Sequence, residues 1–292
     1  MTLEALERLG ARIDEAFLLI GGAIFLVELA RLGMTGRLRW RAVGDMVASV
    51  STQLPYLAVE VFVMTGAYGL YYLISDGLVT WTLPVNPWTA ALALLVADFF
   101  YYWEHRLAHE VRVLWLHHAV HHSSRHMNIT TAFRFGPFEG VWSFVALLPM
   151  VLLGFPPELV LFGVLAGLAY QTWLHTELIG KLGPLEWVLN TPSHHRVHHG
   201  CDEKYLDRNY GAVLIVWDRL FGTFQAEEET PRYGLKRDFD SVNPIAVWFS
   251  ELPRFFADLA RARGGREAWM RLFGRPGWTP GPQPEPAPEA GD

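Results

Sequence analysis

The 292-residue sequence predicts an all-α integral membrane bundle of about four or five membrane-embedded helices, with a cytoplasmic, histidine-rich cap built to hold two metal ions. Three observations predict it. The composition is 51% hydrophobic and only 18% charged, too apolar for an ordinary soluble domain. Several apolar runs approach the length of a bilayer-crossing helix. All 12 histidines fall between His105 and His199. A net charge of -6 without a basic stripe argues against nucleic acid as a partner. Cys201 is the only cysteine, which excludes an internal disulfide and a thiolate cluster, so any metal needs other ligands.

In chain order, residues 16–30 form the first apolar run; it follows an acidic start, lacks a clear cleavage site and reads as a retained anchor. Residues 54–74 form the second, with Pro55 and Glu60 inside it, and residues 88–103 lead directly into the first histidines. Residues 141–153 and 159–174 are separated by Gly154-Phe155-Pro156-Pro157, a turn signal that joins them as a hairpin or re-entrant pair. Arg31, Arg37, Arg39 and Arg41 follow the first run and place that loop in the cytoplasm. Counting onward puts the histidines on the same face. The chain therefore divides into membrane helices over 1–87, a catalytic region over 88–230, a helical segment over 231–274 and a disordered Pro-rich tail over 275–292.

The histidines fall into compact groups. His105 and His109 stand at i, i+4 and share a helix face. His118, His121 and His122 stand at i, i+3, i+4, and His195, His198 and His199 repeat that pattern. Packing alone gives no reason for two copies. Neutral imidazoles each offer one lone pair, and eight or nine of them point to two ions. His117, His126 and His194 are the members most easily read as ordinary structural residues. Imidazole suits zinc, copper, iron and nickel alike, so ligand type does not name the metal. The zinc-protease motif is absent, because Val113 stands where a second histidine is needed. Asp98, seven residues before His105, is placed to orient a ligating imidazole or to bond Tyr102 or another helix. Glu110, beside His109, either supports the site or faces water.

These residues resemble the fatty acid hydroxylase and sterol desaturase superfamily over about residues 98–224: the groups match its HxxxH, HxxHH and HxxHH boxes. The stretches His121-His122-Ser-Ser, Asn128-Ile-Thr-Thr-Ala-Phe-Arg134, Asn190-Thr-Pro-Ser-His-His-Arg-Val-His-His-Gly200, Asn209-Tyr-Gly and Trp217-Asp-Arg-Leu-Phe-Gly-Thr-Phe224 are similar to its alkylglycerol monooxygenase branch. The resemblance implies a di-iron centre held by His105, His109, His118, His121, His122, His195, His198 and His199, with His175 as an additional ligand. It implies a lipid substrate (sterol, fatty acyl or alkylglycerol type), dioxygen, and an external electron donor of cytochrome, ferredoxin or pterin type. The lipid head is expected near Asn128, Arg134, Arg196 or Asn209, and Asp98 and Glu110 are the candidate catalytic carboxylates. A histidine-rich metal transporter and a bis-histidine haem protein are the competing readings.

Overall fold

In the computed structural model, which describes residues 1–281, the chain is helical. Its α-helices are α1 (Leu3–Met34), α2 (Trp40–Leu78), α3 (Pro87–Glu110), α4 (Arg112–His121), α5 (Glu139–Leu152), α6 (Pro157–Thr172), α7 (Pro192–His198), α8 (Val216–Leu220), α9 (Pro244–Trp248), α10 (Leu252–Ala260) and α11 (Gly265–Phe273). Short 3-10 turns span Ile129–Phe133 and Gly183–Trp187. Among the described residues there is no strand, only the bridges Leu189 to Leu214 and Gly200 to Tyr233.

The helices α1 and α2 are long and apolar enough to cross a bilayer, and their most apolar windows are only 11% buried. Leu18, Leu19 and Leu26 on α1 and Val61, Phe62 and Leu73 on α2 are all largely exposed. Such surface is unfavourable in water and suits hydrocarbon. Two described helices, rather than four or five, pass this test. The shortfall has physical causes. At 24 residues α3 is long enough, but its final turns carry Glu104, His105, Arg106, His109 and Glu110. The pair α5 and α6, at 14 and 16 residues, is short for a span.

The predicted turn between α5 and α6 is present. Gly154 takes φ +86°, and its carbonyl accepts from Leu83 N at 2.8 Å. A capping box at Asn86 and Thr89, with Pro87 at the first helical position, starts α3. The helices α3 and α6 lie close: a Cβ added to Gly163 would meet Ala93 O at 2.8 Å. The core between these helices contains Ala93, Ala97, Leu147, Met150, Leu159 and Phe162. Four of these come from α5 and α6, so the hairpin closes one side of α3. The helices α4 and α7 carry histidines over one end of the bundle, with α11 packed on α4 and α9 on α2. Beyond α11, residues 275–281 form no regular element; the rest of the expected Pro-rich tail, 282–292, lies outside the described residues.

Candidate metal centre

Nine histidines converge in two groups. One nitrogen from each of His105, His109, His118, His122 and His198 lies within 4.8 Å of the others, and His121, His175, His195 and His199 form a second such group. All nine are buried. Each i, i+3, i+4 triplet serves both groups: His118 and His122 enter the first and His121 the second, while His195 and His199 enter the second and His198 the first. Helix geometry accounts for this division. At about 100° per residue, positions i and i+4 point about 40° apart, and i+3 lies about 60° to the other side. One short helix can therefore feed two adjacent centres.

The hydrogen-bond pattern tests whether these groups fit metal ions. In the second group, His121 Nδ1 faces the Arg134 carbonyl at 3.2 Å and His175 Nδ1 faces the Gln171 carbonyl at 3.1 Å. A carbonyl only accepts, so each Nδ1 carries the proton and each Nε2 carries a lone pair. Yet the two Nε2 atoms lie 3.1 Å apart, with no proton to place between them. The first group repeats this arrangement. His105 Nδ1 donates to the Tyr210 carbonyl at 2.8 Å and His118 Nδ1 to the Glu139 carboxylate at 2.7 Å, while their Nε2 atoms are 3.0 Å apart. His109 Nε2 and His198 Nε2 are buried without a hydrogen-bond partner. Facing lone pairs repel unless a cation lies among them, and ligands about 2.1 Å from an ion at right angles are about 3.0 Å apart. Burial also pushes His118 down to about 3 and His175 down to about 4, which keeps both in the neutral, ligating form. The donor set thus fits metal ions.

Different parts of the chain hold the two groups. The loop at 207–210 supports three of the first five imidazoles. Arg208 O faces His198 Nδ1 at 3.0 Å, Tyr210 O faces His105 Nδ1, and Asp207 Oδ1 lies 3.5 Å from His109 Nδ1. Asp207 and Asn209 take φ of 58° and 55°, a conformation costly outside glycine. The Asn209 side chain holds it there, donating to His194 O and Gln225 O and accepting from Gln225 N. The second group rests on α1 and α2. Arg134, whose carbonyl orients His121, is fully buried and donates to Asp45 at 2.8 Å, Ser49 at 3.2 Å and Ser123 at 3.0 Å. Thr176, next to His175, donates to Glu28 at 2.6 Å, and Glu28 also accepts from Ile129 N at 3.0 Å.

Several sequence expectations need correction. Asp98 reaches neither an imidazole nor Tyr102 but bonds to another helix: its carboxylate accepts from Val213 N, Leu214 N and, on α8, Trp217 Nε1 at 2.7, 3.1 and 2.8 Å, anchoring the segment that leads into α8. Glu110 pairs with Arg106 and Arg275 rather than with a histidine. None of the four expected lipid-head contacts lines the main cavity. Asn128 caps the 3-10 turn through Thr130 N, Arg134 and Asn209 act as described above, and Arg196 makes a two-pronged pair with Glu227 while donating to Thr176 O and Ile179 O. His117, His126 and His194 lie outside both groups; His117 packs on Phe138 and His194 on Phe224. Glu139 and Asp207 were not singled out from the sequence. The fold brings them to imidazoles from outside the boxes, and only their acidity beside an apolar or turn segment marked them.

A cavity lies between α2, α3, α5 and α6 and reaches His105 and His118. Its length is lined by Met64, Tyr71, Phe144, Leu147, Leu161 and Leu165, and Glu60, Glu104 and Glu139 also face it. The cavity is mostly apolar and touches one of the two histidine groups.

The fatty acid hydroxylase family model matches residues 90–223. Alkylglycerol monooxygenase of Homo sapiens is 40% identical over 241 residues, covering 82% of this chain and 53% of the relative. The Danio rerio alkylglycerol monooxygenase is 38% identical over 240 residues, covering 82% and 54%. An ornithine lipid hydroxylase of Rhizobium tropici is 36% identical over 137 residues, covering 46% and 40%. The chain spans about half the length of the alkylglycerol monooxygenases it matches. No solved structure matches it. The matched residues contain all nine converging histidines, and through them the chain carries a fatty acid hydroxylase family domain.

Proposed function

We propose that this chain is a membrane-bound di-iron oxygenase that hydroxylates or desaturates a lipid with dioxygen and electrons from an external donor. The observation that carries this reading is the convergence of nine buried imidazoles in two groups, with facing lone pairs, beside an apolar cavity that reaches His105 and His118. In each group the imidazole rings touch, with centroids 4.2 Å apart for His175 and His195 and 4.3 Å for His105 and His198. That contact leaves no slot for a flat porphyrin and disfavours the haem reading.

His105, His109, His118, His122 and His198 would hold one iron, and His121, His175, His195 and His199 the other. The irons supply activation of dioxygen and removal of hydrogen from an unactivated C–H bond. The chain's own residues do the rest. The Nδ1 contacts to the Tyr210, Arg208, Arg134 and Gln171 carbonyls fix the tautomers of His105, His198, His121 and His175, so that the Nε2 lone pairs of these four point inward. The apolar lining excludes water from the substrate side, which protects the ligands from an oxidant left without a target. The cavity length takes the alkyl or acyl chain, and Glu60, Glu104 and Glu139 face the polar part near the histidines.

The orientation is part of the proposal. Arg31, Arg37, Arg39 and Arg41 flank the same helix ends from which Glu28 and Asp45 reach the histidine cap. By the positive-inside rule these ends, and the centre with them, face the cytoplasm. The test is turnover of membrane lipids under ¹⁸O₂ with a reducing system. Labelled hydroxyl or aldehyde, or a new double bond, in a lipid product supports the reading; a reduced, iron-loaded enzyme that leaves ether, sterol and acyl lipids unchanged contradicts it.

A further inference from the structure

We propose that Glu28 on α1 and Asp45 on α2 are positioning residues for the four-histidine group, so that this half of the centre keeps its ion only while both membrane helices are docked. The inference rests on the two-ion reading above. Both carboxylates are buried, and both lie on helices whose other surfaces are apolar and exposed. A carboxylate in such a helix is costly unless hydrogen-bonded, and each is committed to a segment that carries a ligand.

Asp45 acts through one helix face. Asp45, Ser49 and Thr52 stand at i, i+4 and i+7 on α2 and together clamp residues 133–135. Asp45 and Ser49 accept from the Arg134 guanidinium, and Asp45 Oδ2 accepts from Ser124 Oγ at 2.6 Å. Thr52 Oγ1 donates to Ser49 O at 2.8 Å, lies 3.4 Å from Phe133 O and accepts from Phe135 N at 3.3 Å. The clamped residue is the one whose carbonyl fixes the His121 tautomer. Glu28 joins the Ile129 amide to the Thr176 hydroxyl, and so ties the turn after the second histidine box to the segment that carries His175. None of the Nδ1 contacts described for the five-histidine group involves α1 or α2. Loss of either carboxylate therefore frees His121 or His175 to rotate and leaves the other group's supports intact.

The test uses the full chain, purified in detergent after iron-supplemented growth and challenged with a chelator. Losing a group that orients a ligand typically weakens metal binding about 10–100-fold. Asp45→Asn and Glu28→Gln should each lose about one of about two irons, with a coupled di-ferric Mössbauer signal replaced by an uncoupled ferric signal. Glu251→Gln breaks a different buried pairing, with Arg112 and Arg237, and should keep both irons. Equal iron retention in all three variants, or equal loss of both irons, overturns the inference. If Asp45→Asn alone fails to fold, Asp45→Asn/Arg134→Gln removes both charges and the cost of an unpaired one. Normal melting with half the iron supports positioning; iron restored along with stability overturns it. Failure of the wild type to hold two ions is a separate result that removes the two-ion reading and this inference with it.

Discussion

The five-histidine and four-histidine groups draw on the same two HxxHH triplets, yet they are secured by unlike means. The first hangs on a strained loop within the cap, where Asp207 and Asn209 hold positive φ and two backbone carbonyls face His105 and His198. The second hangs on side-chain networks that begin in the two most membrane-like helices, at Glu28 and Asp45. The comparison teaches that a histidine box specifies ligands but not their orientation. Orientation comes from whatever accepts the Nδ1 proton, and here that is mostly backbone held by distant residues.

Six substitutions at five positions can break or sharpen this contrast. The largest effect is expected from the ligands themselves. His122→Ala should empty the five-histidine group and His121→Ala the other, each lowering lipid turnover below detection while iron falls by about one per chain. If the two variants lose the same iron by Mössbauer signature, the partition is wrong. Next, Asn209→Ala should lower stability by about 3 kcal/mol, because alanine tolerates positive φ poorly and the contacts to His194, Gln225 and the loop are lost. Asn209→Gly keeps the conformation and should fall between wild type and Asn209→Ala in thermal melts. A glycine variant as unstable as the alanine one would place the cost in the hydrogen bonds alone.

Asp98→Ala should cost about 2 kcal/mol by leaving Val213 N, Leu214 N and Trp217 Nε1 unsatisfied. Its iron content should not change. Iron loss would return Asp98 to the ligand-orienting role that its spacing suggested. The smallest effect is expected at Asn128→Ala, about 1 kcal/mol for a lost cap, with KM for lipid unchanged. A raised KM would restore Asn128 as a lipid contact.

The histidines that the fold brings together were legible in the sequence because helical spacing and imidazole chemistry together leave few other readings. His175 was less so, since its partners His121 and His195 reach it only through the tertiary fold. Arg134, Arg196, Asn128 and Asn209 looked like substrate contacts because they are polar residues beside the boxes. The fold spends them instead on irregular backbone buried around the centre, whose carbonyls and amides all need partners. The supports of the imidazoles were largely invisible, because a carbonyl acceptor can belong to any residue type. Helix extents were underestimated as well. The first apolar run marks only the C-terminal half of α1, since charged turns can continue a helix beyond the hydrocarbon.

The central claim is a two-iron centre made by these nine histidines, and iron analysis with Mössbauer spectroscopy on the detergent-purified, iron-supplemented wild type tests it most directly. About two irons per chain with a coupled di-ferric signal is the predicted result. Tightly held zinc or haem, or a single uncoupled iron, would contradict it.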